Sequence, residues 1–439
     1  MLSRPTRNVL QLGLGFLLFF ISFNSQGYIQ EAVIAGVADE NGIDQHAGYN
    51  GLALYYGVFT AANLFIAPLI EVLGPKWAMT IGAILTTLYE IGFLHINEFY
   101  FFFTSALSGF GAALMWPALG TYMTLNSTEK TIDRNSSIVW ALSQASQIIG
   151  GIVLLTIFHH SSSDDNTISP TAIKIISISL TIVLILSTFV FALLRHPPSE
   201  TLKHNEVAVS YNNASFATTF ALLPTKRMIL LAFVFCYTGI VQSLWTSIYP
   251  TAISFTQQMG NNNSVLMALS AISSGFGQIL LCSWVAARRF ALKRNHFVIT
   301  GFFLHIISFI GIYINFPPNS SIHLTNDIGI IQPNPYLTCF ISFILGFGDG
   351  CWNTQVYALI GDVFSHCSNE AFALFNFYQS ALTCASLFYS AHITLTSHLA
   401  ILCTSSTIAV FCFCLVDAMG RLSQGKKLSL GMSKVYQQH

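Results

Sequence analysis

The positions of the basic residues constrain the fold of this chain more than any other feature of its sequence. Twelve long apolar stretches run along the 439 residues, and the 18 Lys and Arg side chains lie in or beside the segments that connect them. Every second connecting segment carries this charge, and Lys174 alone lies in the opposite set. Because cytoplasmic loops of membrane proteins are enriched in Lys and Arg, the asymmetry predicts twelve membrane spans with both termini in the cytoplasm. One span more or fewer would place the later loops on the opposite side of the membrane and abolish the asymmetry.

The composition also indicates a chain that is embedded in lipid. Charged residues make up 8% of the sequence, whereas soluble domains contain about 25%. Apolar residues reach 53%, and 37 residues are Phe. Such a chain cannot cover a water-soluble fold with charge, so we expect an all-α integral membrane protein. It contains no basic run that would bind nucleic acid.

The apolar stretches divide into two halves of six. A bilayer core requires about 20 residues per helix, and spans are predicted at residues 9–30, 49–73, 77–96, 99–125, 136–158, 171–194, 228–254, 264–287, 296–316, 335–362, 371–393 and 398–419. The polar segment between spans six and seven contains Pro197 and Pro198. We therefore expect an N-terminal six-helix bundle at residues 1–194, a cytoplasmic linker at 195–227, a C-terminal six-helix bundle at 228–419 and a cytoplasmic tail at 420–439.

A short internal repeat supports this division. A Gly-Phe-Gly segment begins at Gly109 in span four and another begins at Gly346 in span ten, and each span is the fourth of its half. The repeat favours two bundles related by pseudo-symmetry, with any substrate path between them near the membrane midplane.

Polar side chains inside the spans are the strongest indication of a functional site. A charged group at the centre of a membrane helix costs ~2.5–3.5 kcal/mol on the insertion scale, so it usually has a partner and a purpose. Asp349 is the best candidate, and Asn353 lies one helical turn away; a hydrogen-bonded knot that only fixes packing is the alternative. We expect a central cavity to be lined from spans one, five and ten by Asn24, Tyr28, Trp140, Gln144, Gln147, Asp349, Trp352, Asn353 and Gln355.

Three further predictions concern coupling, glycosylation and chemistry. Asp349 and Glu90, two acidic groups well inside predicted spans, are candidates for ion or proton coupling. The sequons at Asn262 and Asn319 fall in predicted external loops, and Asn319 is the better acceptor because Asn262 adjoins span eight. No phosphate-binding loop, metal-ligand spacing or nucleophile elbow occurs in the sequence. We therefore expect no metal, no cofactor and no enzymatic activity.

One loop resembles a motif of the major facilitator superfamily. Ala67-Pro-Leu-Ile-Glu71-Val-Leu-Gly74-Pro-Lys76 is similar to the Gly-x-Leu-x-Asp-Arg-x-Gly-Arg-Lys pattern between spans two and three. Glu71 replaces the Asp, Gly74 and Lys76 match, and the first Gly and both Arg are missing. The resemblance implies the superfamily's two six-helix bundles and a partial cytoplasmic latch, formed by Glu71, Gly74 and Lys76, that holds helices during alternating access.

Three other segments resemble the Unc-93-like (uncoordinated-93) family within that superfamily. They are Gly120–Ser127, Arg134–Gln144 and Gly346–Gln355, and the last is similar to the subgroup called major facilitator superfamily domain-containing protein 11. The family includes a potassium-channel regulatory subunit and a trafficking escort, whereas the subgroup looks like an orphan transporter. The resemblance therefore leaves two functions open, a secondary solute carrier that uses Asp349 and an escort subunit that does not transport.

The expected partners follow from these two functions. They are the lipid bilayer, an unknown small solute or ion and, for the escort, another membrane protein. The sequence does not decide between the plasma membrane and an endomembrane.

Overall fold

Twelve long helices form the computed structural model, which describes residues 4–128, 131–160, 168–195, 219, 221–260, 262–286, 294–364 and 367–436. The first half contains α1 (Arg4–Asn41), α2 (Ala47–Asn63), α3 (Ala67–Ile91), α4 (Glu98–Leu125), α5 (Ile132–His160) and α6 (Pro170–Ala192). The second half contains α7 (Lys226–Phe255, with a π-helical turn at Leu244–Ile248), α8 (Asn263–Ala286), α9 (Arg294–Asn315), α10 (Pro335–Val363), α11 (Ser368–Ser390) and α12 (Leu395–Tyr436).

The helices are those of a multi-pass membrane protein. In the part of the chain that the structure describes, ten of them are long and apolar enough to cross a membrane. The other two are α2, which has 17 residues, and α10. Large apolar side chains are exposed along the outer faces, as Ile178, Ile182 and Phe189 show on α6. Such faces are stable in contact with lipid, and the predicted all-α membrane fold is confirmed.

The predicted boundary between spans two and three was wrong. A continuous apolar run predicted one helix at 49–73, but α2 ends at Asn63 and α3 begins at Ala67. Pro68 lies in the first turn of α3, where proline is favoured because the missing N–H has no intrahelical partner there. A second break follows at Gly74, whose φ of 73° is outside the helical region. Hydropathy alone cannot reveal such turns, because the residues on both sides are apolar.

The predicted linker and tail lie partly outside the described residues. Of the linker, residues 196–218 and 220 are not described. The Tyr122 hydroxyl donates to the Arg195 carbonyl at 2.6 Å and ties the end of the first half to α4. At the other end, α7 begins at Lys226. The segment predicted as a tail continues the last helix to Tyr436.

Helix packing repeats between the two halves. In the first half α1 packs against α5 and α6, while α4 packs against α2 and α3. Six helices later, α7 packs against α11 and α12, while α10 packs against α8 and α9. The halves meet through the pairs α5–α8 and α2–α11, and moving six helices along the chain exchanges these two pairs. The fold is therefore two equivalent six-helix bundles.

The Gly-Phe-Gly repeat encodes the same close contact in each bundle. A Cβ atom at Gly109 in α4 would overlap the carbonyl oxygen of Tyr55 in α2. A Cβ atom at Gly346 in α10 would overlap the carbonyl oxygen of Ser274 in α8. Glycine at these positions lets two helix backbones touch, which is a common device in membrane interfaces.

We expect Gly346→Ala to lower the melting temperature of the purified protein. The added methyl has to displace the α8 backbone, and overpacking of this kind costs about 1–3 kcal/mol. Gly361→Ala is the matched control, because it lies in the same helix and its added Cβ would have no neighbouring atom within 4 Å. Thermal unfolding in detergent measures both variants. Equal melting temperatures for the two would contradict the assigned contact.

Candidate functional site

A cavity of about 160 Å³ lies between the two bundles. It is lined from α1, α2, α4 and α5 of the first bundle and from α7, α8, α10 and α11 of the second, which are the equivalent helices of each half. The two long helices that are not among the ten apolar spans of the described chain, α2 and α10, are both in this set. The cavity therefore lies on the pseudo-symmetry axis.

Most of the predicted cavity residues contribute to this lining. The predicted residues that line it are Asn24, Trp140, Gln144, Gln147, Asp349 and Asn353. Asp349 and Asn353 are four residues apart and share one face of α10, as the helical period requires. The structure thus brings together polar groups that are separated by more than 300 residues in the sequence.

Three other predicted residues lie outside the cavity. The Tyr28 hydroxyl is 2.6 Å from the Ser270 hydroxyl and joins α1 to α8. Trp352 is fully buried, with its ring centroid 5.0 Å from that of Tyr237. Gln355 donates its amide to the Thr354 hydroxyl at 3.3 Å. Because α10 is covered by protein on several sides, a polar or aromatic residue there can face a neighbouring helix instead of the cavity.

A chain of side-chain hydrogen bonds connects Asp349 to the first bundle. The Gln144 side-chain amide on α5 donates to Oε1 of Gln278 on α8 at 2.8 Å. Gln278 in turn donates to Oδ2 of Asp349 at 3.4 Å, which is a long bond. Asp349 is 5% exposed. Among the described lining residues it is the only acidic side chain, and none is Lys, Arg or His.

Aromatic rings form most of the remaining cavity wall. Two ring pairs join α1 to its neighbours, because Phe23 lies 4.9 Å from Tyr55 and Phe20 lies 5.8 Å from Trp116, measured between centroids. The aromatic residues of the lining are Phe16, Phe19, Phe20, Phe23, Tyr55, Tyr56, Phe59, Trp116, Trp140, Trp245 and Tyr357. The cavity thus combines one carboxyl group, several amides and a large area of ring surface.

The second bundle also contributes polar lining outside α10, and the part from α11 was not predicted. Gln242 on α7 donates to the Tyr56 hydroxyl at 2.9 Å across the two bundles. On α11, the residues Asn376, Gln379 and Ser380 line the cavity at spacings of three and four. That spacing is a helical polar stripe, and it was a detectable signal in the sequence.

The contacts between the bundles differ at the two ends of the cavity. Toward the side that holds the start of α1, the rings of Trp140 and Tyr357 meet across the bundles with centroids 6.0 Å apart. Toward the opposite side, α1 packs against the last part of α7. There the Tyr49 hydroxyl also donates to the Ser321 carbonyl at 3.0 Å. The bundles therefore meet through packed helices at the second end and through a contact of side chains at the first.

Glu31 lies at the end of the cavity where the helices of the two bundles pack. Its carboxylate is buried and accepts the backbone N–H of Tyr49 at 2.6 Å, beside the start of α2. The same carboxylate lies 2.9 Å from Nδ1 of His46, which is outside the membrane-spanning helices. This hydrogen bond raises the pKa of His46 above its ordinary value. A carboxylate at a helix N-terminus is stabilised by the helix dipole.

Glu90 lies away from the cavity. It is 1% exposed in α3, and its carboxyl oxygens have no hydrogen-bond partner within the described residues. The neighbouring Tyr89 hydroxyl donates to the side chain of Gln30 on α1. A role for Glu90 in proton coupling stays a prediction.

The predicted latch residues lie around the kink of α3. Glu71 precedes Gly74 and Lys76 follows it, and the ammonium of Lys76 is 5.1 Å from the ring centroid of Trp77. Among the described residues no ion pair joins Glu71 to Lys76. Their role as a latch stays a prediction. No group of three or more His, Cys, Asp or Glu side chains suited to a metal ion occurs in the part of the chain that is described.

Solved transporters share the fold. A peptide transporter POT in complex with sulfate superposes with a TM-score of 0.66 at 14% identity, over 94% of each chain. The nucleoside transporter NupG gives a TM-score of 0.61 at 15% identity and covers 93% of this chain and 99% of its own. At such low identity the likeness shows the fold alone, and it confirms the predicted architecture of two six-helix bundles.

Sequence comparison identifies the family. The family described as "Ion channel regulatory protein UNC-93" matches residues 39–414. The UNC93-like protein MFSD11 of Xenopus laevis is 32% identical over 422 residues, which cover 91% of this chain and 93% of the relative. UNC93-like protein 3 of Arabidopsis thaliana is 24% identical and covers 90% of this chain and 83% of its own length. The predicted relationship is confirmed, and the chain belongs to the UNC-93 family.

Proposed function

We propose that this protein is a secondary carrier that moves a small solute by alternating access through the central cavity. The observation that carries the proposal is the cavity itself, which equivalent helices of both bundles line and which contains one buried acidic residue, Asp349. Carriers built from two repeats bind their substrates near the midplane at the interface of the repeats. The structural neighbours that share the fold are described as peptide and nucleoside transporters.

The unequal contacts at the two ends of the cavity also support a carrier. At one end the bundles meet through packed helices and the Tyr49 contact, whereas at the other they meet through the Trp140–Tyr357 ring pair. Alternating access requires two such ends that open in turn. We infer a binding role for the cavity instead of a catalytic one, because amides, hydroxyls and rings hold a solute without activating it.

A regulatory role is the second candidate. The family match names an ion channel regulatory protein, and it covers most of the chain. A regulatory or escort subunit would bind another membrane protein through its outer helix surfaces and would not require a polar central cavity. The two candidates therefore differ in whether the cavity is used.

Uptake by the purified, full-length protein in lipid vesicles tests the proposal. A broad panel of labelled metabolites and ions is offered, and protein-free vesicles give the background. We expect at least one solute to accumulate in a saturable manner. If no solute in the panel moves and a membrane protein co-purifies in a fixed ratio, the carrier proposal fails and the regulatory one is favoured.

We propose that both termini face the cytoplasm, because of the asymmetry in basic residues. Glycosylation then is possible at Asn262, which is exposed, or Asn319, which is half-buried. The sequon Asn213 lies outside the described residues, and Asn126 is 1% exposed and accepts a hydrogen bond from Asn8 at 2.7 Å. Burial alone would therefore protect Asn126 from modification.

Glycosylation mapping checks this orientation. With Asn262 and Asn319 changed to Gln, we expect a sequon appended to the C-terminus to remain unmodified. A sequon inserted in the loop between α9 and α10 should be glycosylated. Modification of the C-terminal sequon, of Asn126 or of Asn213 would reverse the proposed orientation.

A further inference from the structure

We infer that the central cavity selects small organic cations that carry a flat apolar group. The inference rests on the proposed function, because it names the class of solute that the carrier would bind. It follows from the charge, the ring surface and the size of the cavity.

The charge of the lining favours a cation over an anion. Asp349 is the only acidic residue among the described lining side chains, and no Lys, Arg or His stands opposite it. An anionic solute would be buried in this cavity without a basic side chain to pair with it, which is strongly disfavoured. A cation would neutralise the carboxylate and allow both charges to be buried together.

The hydrogen bonding of Asp349 leaves room for such a ligand. Its Oδ2 atom accepts a long 3.4 Å bond from Gln278, which is itself held by Gln144, and the Asn353 side chain also hydrogen-bonds the carboxyl group. An ionised carboxylate can accept about four hydrogen bonds. An ammonium group at this position would add short, charge-assisted bonds, which are roughly twice as strong as neutral ones.

The rings accommodate the rest of the molecule. Trp140 and Tyr357 lie on the same side of the cavity, and Tyr357 is two helical turns from Asp349 on α10. Ring faces attract cations within about 6 Å and also bury apolar groups. Carboxamide oxygens from Gln242 and Asn376 add neutral acceptors for further N–H groups.

The size of the cavity limits the solute. Pockets for drug-sized ligands measure about 300–1,000 Å³, whereas this cavity has about 160 Å³. One aromatic ring with a short aminoalkyl chain fits that volume better than a peptide or a nucleoside does.

Three probes of similar shape and different charge test the inference. They are 2-phenylethylammonium, 2-phenylethanol and phenylacetate, each added at the same concentration to the purified full-length protein. We expect the cation to raise the melting temperature, the alcohol to raise it less and the anion to have no effect. An equal or larger shift with phenylacetate, or no shift with any of the three probes, would overturn the inference. This comparison uses the unmodified protein, so it does not depend on the folding of a variant.

Matched variants locate the binding. Asp349→Asn should weaken binding of the cation at least about ten-fold, because a neutral amide replaces the charged acceptor. Asp327→Asn is the control, because Asp327 is an exposed acid in the loop between α9 and α10. If the Asp349→Asn variant still binds the cation as tightly, the cation binds at a site that does not involve Asp349.

The uptake assay separates this inference from the carrier proposal. Uptake of neutral or anionic solutes without any uptake of organic cations would support the carrier proposal and overturn the inference that the substrate is a cation. Stabilisation by the cation without transport of any solute would support the cation-binding site and contradict the carrier proposal.

Discussion

Replacing Glu31 by alanine is expected to lower the free energy of unfolding by about 1–4 kcal/mol. The Tyr49 N–H would lose its buried acceptor, which costs about 1–3 kcal/mol, and α2 would lose a carboxylate at its N-terminus, which adds about 0.3–1 kcal/mol. Glu31→Gln keeps a carbonyl oxygen for Tyr49 and should lose less. Glu40→Ala, an exposed position on the same helix, is the control. Chemical or thermal unfolding measures the series, and equal stability of the alanine variants would contradict the assigned role of Glu31.

The contact between His46 and Glu31 makes part of this stability depend on pH. The hydrogen bond to Glu31 raises the pKa of His46 above 6.5, and Asp44 acts in the same direction. A raised pKa in the folded state gives stability that is fully present below the unfolded pKa and is lost as the pH rises through the folded pKa. The advantage of the natural protein over His46→Asn should therefore grow as the pH falls through the folded pKa of His46 towards 6.5. A constant difference across this range would show that the pair does not titrate.

Asp349→Asn is expected to reduce transport by at least about ten-fold while the fold survives. The carboxamide has nearly the same shape as the carboxylate and can still accept the bond from Gln278. It cannot supply the only acidic group that the described lining contains. Initial uptake rates of the identified solute give the effect, with melting temperatures measured on the same preparations.

The matched control for transport is again Asp327→Asn, which changes an acid to an amide outside the cavity. It should transport as the natural protein does. A large fall in melting temperature for Asp349→Asn would favour the packing role that the sequence left open. Unchanged uptake in Asp349→Asn would remove Asp349 from the site.

Much of the fold was predictable because it depends on properties that act along the whole chain. The alternation of basic residues fixed the number of spans, and the paired glycines at Gly109 and Gly346 indicated the repeat. The turn before Pro68 escaped prediction because Leu64 and Phe65 are apolar, although both are exposed. Lipid tolerates such residues in a turn, so hydropathy does not show where a helix stops.

The site was predictable only where one face of a helix differs from the others. In α5 the residues Gln144 and Gln147 share a face, and both line the cavity. In α10, however, Trp352 and Asn353 are adjacent, and only Asn353 lines the cavity. The remaining faces of α10 contact other helices, so burial is not specific to the cavity. Only the arrangement of neighbouring helices distinguishes the two positions.

The two kinds of helix contact differ in how easily water can replace them. Inside a bundle, Gly346 lies against bare backbone, and no solvent molecule fits such a contact. Between the bundles, Thr60 bonds to Ser380 at 2.7 Å and Gln242 bonds to Tyr56 at 2.9 Å. Each such bond contributes only about 0.5–1.5 kcal/mol, because water offers an equivalent partner. The hydroxyl and amide groups between the bundles can therefore exchange their hydrogen bonds for water repeatedly. The glycine-mediated packing inside each bundle is kept while this happens.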